Sequence, residues 1–192
     1  TVIHEGQIKY ANIDLEGGSD ISNDISVVLS TSKHDAEELK LDYGYADPSL
    51  ASEKDKFAVN SVGSNGQQMV DEVYLSEIIN ARLMQIINRI GKGLNKTQAL
   101  KLPGGIVITG GNSLLPGINN LVANSLKVKA RIYQPNQMGM QTPVFTAAFG
   151  IVNYVYNMSD IDFLANTAIY GGGVPTEEKQ TSETNTKNLK RN

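Results

Sequence analysis

Apolar positions along the chain alternate between a two-residue and a three-to-four-residue rhythm, and the changes of rhythm mark the elements. Val2 and Ile3 precede Glu5-Gly6, and Ile8, Tyr10 and Ile13 follow, so a hairpin is predicted with strands near 1–4 and 7–14 around a tight turn. Ile21, Ile25, Val28 and Leu29 recur at helical spacing behind Ser19-Asp20, which predicts a helix over 20–30. Thr31-Ser32 open a second helix with Asp35 as the partner of a capping box. Ala36, Leu39 and Tyr43 form its face, and Gly44 suits the position just past its end. Pro48 lies in a polar loop over 46–56. A second hairpin follows: Phe57, Val59 and Val62, a Gly63-to-Gly66 connection, and Met69 to Leu75. The strongest helical pattern spans 76–94, with Ile79, Leu83, Ile86, Ile87, Ile90 and Leu94 in one stripe.

Beyond a linker ending at Pro103, residues 105–109 form a short, wholly apolar strand, as expected where both sheet faces are covered. Gly110-Gly111 break it, and Pro116 begins a helix that turns Ile118, Leu121 and Val122 inward. Residues 131–133 read as a strand. Thr142-Pro143 start a last long helix through Tyr156, with Val144, Ala147, Ala148, Ile151 and Val155 inward. Residues 158–170 read as a segment following that helix. From 171 the chain is polar and rich in Thr, Asn, Lys and Glu, which predicts a disordered tail over 171–192. The order ββα, α, ββα, βαβα defines a mixed α/β protein.

Composition narrows the function classes. With 40 % hydrophobic and 19 % charged residues, most of the 192-residue chain can bury a core. A net charge of −3 supplies no positive field for nucleic acid. Cysteine is absent, which excludes a disulfide framework and thiolate metal sites. His4 and His34 stand apart without ligand-spaced carboxylates, so no metal site is expected. No apolar run approaches the ~18 residues that a membrane-spanning helix needs. No signal peptide is visible. The chain opens on Thr1 directly inside a strand pattern, which reads as a piece of a longer parent.

Three segments carry candidate chemistry. In Ile106-Val107-Ile108-Thr109-Gly110-Gly111-Asn112-Ser113-Leu114-Leu115-Pro116-Gly117, a buried strand runs through two glycines to a helix start. Such a turn lets a flat or anionic group approach the backbone, although a plain tight turn looks the same. In Ala36-Glu37-Glu38-Leu39-Lys40, Glu37 and Lys40 project side by side. They suit ribose hydroxyls, and equally a solvated helical salt bridge. Asp14-Leu15-Glu16-Gly17-Gly18-Ser19-Asp20 leads into the first helix and reads in its simplest form as helix capping.

Taken in order, these strings resemble the FtsA family of actin-like bacterial cell-division proteins. The glycine-pair string is similar to the adenosine motif shared in variants by actins, seventy-kilodalton heat-shock chaperones and sugar kinases. Residues 36–40 resemble the Ala-Glu-x-x-Lys segment that actin-like proteins set beside the nucleotide. Gly17-Gly18 with Asn23-Asp24-Ile25, Ile78-Ile79-Asn80-Ala81-Arg82-Leu83, and Thr146-Ala147-Ala148-Phe149-Gly150 complete the resemblance, which covers about 1–157.

The resemblance implies an actin-like ATPase lobe, ribonuclease H-like, N-terminally incomplete and carrying a small inserted α+β subdomain. Residues 1–31 and 103–157 would form part of the large subdomain, and 32–102 the small one that binds nucleotide and FtsZ. It implies that Glu37, Lys40, Gly110, Gly111, Asn112 and Leu115 border ATP, with magnesium in the full-length parent, and that Arg82 meets the FtsZ C-terminal peptide. The family's phosphate-binding turns would lie upstream, so no catalysis is expected of this chain. The implied function is an ATP-binding adaptor that self-associates into filaments and joins the FtsZ ring, with other division proteins, to the cytoplasmic face of the membrane at the septum. The membrane anchor is not evident in 174–192. A kinase or ATPase of the same superfamily, and a pilus or shape-determining actin relative, are the alternatives.

Overall fold

The computed structural model describes residues 1–63 and 66–170. The expected four-residue connection of the second hairpin lies partly outside those residues, and the tail wholly so. The described residues divide between two compact units, Thr1–Gly150 and one beginning at Ile151.

In the first unit, β1 (Val2–His4) pairs antiparallel with β2 (Gln7–Tyr10). Glu5 and Gly6 both take positive φ, 51° and 73°, as a two-residue turn of this hand requires. β2 stops at Tyr10, short of the predicted 14, because Asp14 and Glu16 are drawn to arginines elsewhere. α1 (Gly18–Val28) follows, then α2 (Lys33–Tyr43), whose N-cap Ser32 accepts from the Asp35 amide at 3.1 Å.

Gly44 does not end α2 in the left-handed conformation expected of it. It is extended, and its value lies in close packing. A Cβ there would sit 2.3 Å from the Lys40 carbonyl oxygen and 2.7 Å from Ile79 Cδ1.

β3 (Lys56–Asn60) and β4 (Gln67–Asp71) form the second hairpin. β4 is shorter than predicted because Asp71 accepts from the Tyr74 amide at 2.8 Å and starts α3 (Glu72–Lys96) four residues early. Leu75, Ile79, Leu83 and Ile87 of α3 are buried at a spacing of four. They meet Ile21 and Ile25 of α1, Leu29 just past its end, and Ala36 and Leu39 of α2 in one core cluster. At Gly91 a Cβ would stand 2.5 Å from Leu126 Cδ2, so the glycine lets the next helix approach.

β5 (Ile106–Ile108), α4 (Ile118–Leu126) and β6 (Ala130–Ile132) make a parallel β-α-β unit. Ile106 and Ile108 pack against the core, but Val107 is 47 % exposed, so β5 is covered on one face rather than two among the described residues. The described strands form three two-stranded sheets.

A 3-10 turn at Pro143–Phe145 leads into α5 (Thr146–Tyr156). The predicted inward positions Val144, Ala147, Ala148, Ile151 and Val155 are exposed. The periodicity is right, but no neighbouring layer buries that stripe among the described residues.

In the unit from Ile151, residues 160–170 are not a trailing segment but a helix, α6 (Asp160–Tyr170). Ser159 starts it by accepting from the Asp162 amide at 3.2 Å while donating to the Asp162 carboxylate at 2.6 Å. Among the described residues no helix is long and apolar enough to cross a membrane.

Candidate functional site

Lys40, on α2, is buried with Glu37 beside it. It is not a solvated surface lysine: the residue is 4 % exposed. Its ammonium spends all three donors inside the fold, on Glu37 Oε2 at 2.8 Å, Ser22 Oγ at 2.9 Å and the Gly18 carbonyl at 3.1 Å. Ser22 Oγ in turn donates to Glu37 Oε2. The Glu37 side chain is 45 % exposed, and its other oxygen, Oε1, has no protein partner among the described residues. Partial burial by itself raises the Glu37 pKa. The hydrogen bonds from Lys40 and Ser22, with the lysine charge, outweigh that and hold it below the ordinary carboxylate value. The arrangement presents an ionised, oriented acceptor to the outside, backed by a buried cation.

The glycine-pair turn arrives at the same place. Gly110 has φ +94°, and its amide donates to the Pro143 carbonyl at 3.1 Å. Thr109 Oγ1 bonds Thr146 Oγ1 at 2.6 Å, which ties the strand end to α5. A Cβ at Gly110 or Gly111 would meet nothing within 4 Å, so the backbone of both opens onto free space. Asn112 follows in the short 3-10 turn Gly111–Leu114, and its backbone amide has no hydrogen-bond partner among the described residues. A Cβ on Gly18 would come 2.7 Å from Asn112 Oδ1.

Gly18 is therefore the meeting point. Its carbonyl receives Lys40 and its Cα lies against Asn112, so the Glu37–Lys40 pair and the Gly110–Asn112 turn both approach Gly18. Leu115 is buried in the core cluster. Gly18 and Ser22 complete the group; the sequence reading placed them in the Gly17-Gly18 string ahead of the first helix and assigned neither to the nucleotide. Their signal was Gly18 at the helix start with a hydroxyl one turn on, which capping also explains.

Arg82 is engaged within the fold. It grips Asp24 with two nitrogens, Nε at 2.6 Å and Nη2 at 2.8 Å, and reaches Glu16 at 2.8 Å. Seven residues on, Arg89 bonds Glu16 at 2.7 Å and Asp14 at 3.0 Å. The Arg89 hydrogen bond, with support from Arg82, pulls the Glu16 pKa from 4.5 down to about 2. Because the folded value is depressed, its contribution to stability is fully present above about 4.5 and is lost as pH falls through about 2.

Beside Asp24, a groove of about 440 Å³ runs between α1 and α3, lined by Val27, Val28, Tyr74, Ile78 and Ala81 with Glu77 at its edge. Among the described residues no group of three or more His, Asp or Glu is placed to hold a metal ion.

A solved structure shares this arrangement of elements. The crystal structure of MreB5 of Spiroplasma citri bound to ADP matches with a TM-score of 0.57 at 11 % identity, over 80 % of this chain and 46 % of that one. The fold is actin-like, an α/β architecture.

Within that class the sequence comparison is specific. The family described as Cell division protein FtsA matches residues 1–150. The cell division protein FtsA of Enterococcus hirae is 45 % identical over 170 residues, 88 % of this chain and 38 % of the relative. That of Streptococcus pneumoniae is 40 % identical over 169 residues, 88 % of this chain and 37 % of the relative. That of Bacillus subtilis is 31 % identical over 153 residues, 80 % of this chain and 35 % of the relative. The chain belongs to the FtsA family, and it spans less than two fifths of the length of these relatives.

Proposed function

We propose that this chain supplies the adenosine-facing wall of an actin-like, ATP-binding division protein that captures the tail of FtsZ. The observation that carries the reading is the convergence on Gly18 of a buried lysine–glutamate pair and the Gly110–Asn112 turn. The donor set fits a sugar and base. Among the described residues Glu37 Oε1 is a free, ionised acceptor for hydroxyl donors, the Asn112 backbone amide is unpaired, and two glycine backbones admit a flat group. The ADP in the related MreB5 structure supports the same reading. In this reading ATP acts mainly as a ligand, with slow turnover at most. Residues 32–102 form, in this reading, the small subdomain, with 1–31 and 103–157 in the large one. Filament formation, other division partners and a position on the cytoplasmic membrane face at the septum follow for the whole protein. The test of the site is titration with a fluorescent ADP analogue. Saturable binding that unlabelled ATP competes away is expected, and no binding would remove the nucleotide role from this chain.

The α1–α3 groove beside Arg82 suits an acidic-and-apolar peptide, since its walls are Val, Ile and Tyr and a guanidinium lies at its margin. A peptide carboxylate has to compete with Asp24 and Glu16 for Arg82. Arg82→Glu is expected to weaken binding of an FtsZ C-terminal peptide at least tenfold in an anisotropy titration. Val28→Glu, which charges the groove without touching the arginine, is expected to do the same. Unchanged affinity in both variants would move the peptide elsewhere.

A further inference from the structure

The segment between β2 and α1 has no regular structure, yet it leads directly into Gly18, where the Lys40 and Asn112 contacts meet. Its placement comes from outside itself. Asp14 and Glu16 are held by two arginines one face of α3 apart, Arg82 and Arg89, through hydrogen bonds of 2.7–3.0 Å. Within the segment, the Glu16 amide donates to Asp14 Oδ1 at 3.1 Å and the Gly17 amide to Asp20 Oδ2 at 2.7 Å. The chain is thus pinned on both sides of Gly17, to α3 before it and to α1 after it.

We propose that Glu16 is a positioning residue: clamped by Arg82 and Arg89 of α3, it fixes the Gly17 backbone, keeps Gly18 against Asn112 and so sets how closely the two sides of the proposed nucleotide site approach. The proposal rests on the nucleotide reading above for its functional consequence and on the ion pairs alone for its structural one. Three geometric facts support it. Glu16 is next to Gly17 in the chain, so a displacement of its carboxylate moves the glycine backbone directly. Gly18 has no side chain of its own with which to hold position. Its carbonyl takes Lys40 and its Cα abuts Asn112, so a shift of the segment opens both contacts together. The clamp uses both carboxylate oxygens of Glu16, Oε1 on Arg89 and Oε2 on both arginines. The amide of a glutamine cannot reproduce that, because one of its two positions is a donor.

The test is hydrogen exchange by NMR on the whole chain, with binding of the fluorescent ADP analogue measured beside it. Glu16→Gln is expected to speed exchange of the Gly17 amide at least tenfold and to weaken ADP about tenfold, while amides in the middle of α3 keep their protection. Arg89→Gln is expected to act alike. The double variant is expected to do no more than the larger single, because both remove one clamp. Asp14→Asn, which takes away only the outer ion pair, gives a smaller effect of the same kind. Unchanged Gly17 exchange in Glu16→Gln, or additive effects in the double variant, overturns the proposal. If the wild-type chain binds no ADP while Gly17 exchange rises as stated, the positioning role stands and the nucleotide reading falls.

Discussion

Ile79→Ala is expected to lower the unfolding free energy by about 3–4 kcal/mol, the largest single loss of stability in the first unit. Ile79 is 0 % exposed in the N-terminal third of α3, and three helices depend on it. It packs among the Ile21, Ile25 and Leu39 side chains of α1 and α2, and it closes on Gly44, where a Cβ would come within 2.7 Å of its Cδ1. Truncation removes three buried carbons and leaves a cavity that regular helices on all sides cannot collapse into. Against a typical domain stability of about 5–15 kcal/mol that is a large share. Urea denaturation followed by circular dichroism measures it as a lower midpoint at constant slope. Ile79→Val serves as the graded case, at about 1 kcal/mol. Ile90→Ala is the control, since Ile90 carries the same periodicity but is 44 % exposed, and a change within about 1 kcal/mol is expected there. Equal losses at 79 and 90 would mean that the helix buries a different face.

That contrast between Ile79 and Ile90 also marks how far periodicity could be read. A spacing of three to four residues located α1, α2, α3 and α4, because each buries an apolar stripe in the core cluster. It could not say how wide the stripe is. α3 buries positions four apart, and Ile90 falls at the exposed margin. α5 shows the same limit more sharply. Its apolar spacing is helical and the helix forms, but its Ile151 and Val155 are exposed, because a hydrophobic pattern specifies a face and not its partner. α6 was legible in principle, since Ser159 and Asp162 stand at capping-box spacing ahead of an apolar run. Gly44 was assigned to the right helix end for a different reason from the one observed, because crowding by Ile79 is a tertiary fact.

The site divides in the same way. Glu37, Lys40 and the glycine pair were visible as local strings, each with an ordinary structural explanation of its own. What joins them is contact between residues 18, 22, 37, 40 and 112, and no local pattern encodes it. Arg82 was visible as a basic residue on a helix face. Its double grip on Asp24, 58 positions away, was not.

Lys40→Met tests the convergence itself. Methionine keeps an unbranched stem of similar length in a buried slot and removes only the ammonium, so packing losses are small. Three hydrogen bonds go with it: Glu37 loses its cation, Ser22 loses a donor, and the Gly18 carbonyl loses the bond that fixes it beside Asn112. Because the Glu37 side chain is 45 % exposed and water can replace part of what is lost, the cost in stability is expected to be only about 1–2 kcal/mol. The effect on ADP binding is expected to be larger, a loss of at least thirtyfold, because the acceptor and the glycine wall lose their orientation together. The pH dependence supplies an independent check. In the wild type Glu37 sits below its ordinary value, so its stabilising contribution is complete above that value and drains away as pH falls through the depressed one. Without Lys40 the depression relaxes, and the part of the acid-induced loss of stability that belongs to Glu37 shrinks. Urea midpoints measured from neutral pH down to acid, for wild type and variant, are therefore expected to approach each other as the pH drops. A variant that binds ADP as tightly as the wild type would show that the buried ammonium orders only its own helix and that nucleotide binding does not depend on the Gly18 contacts.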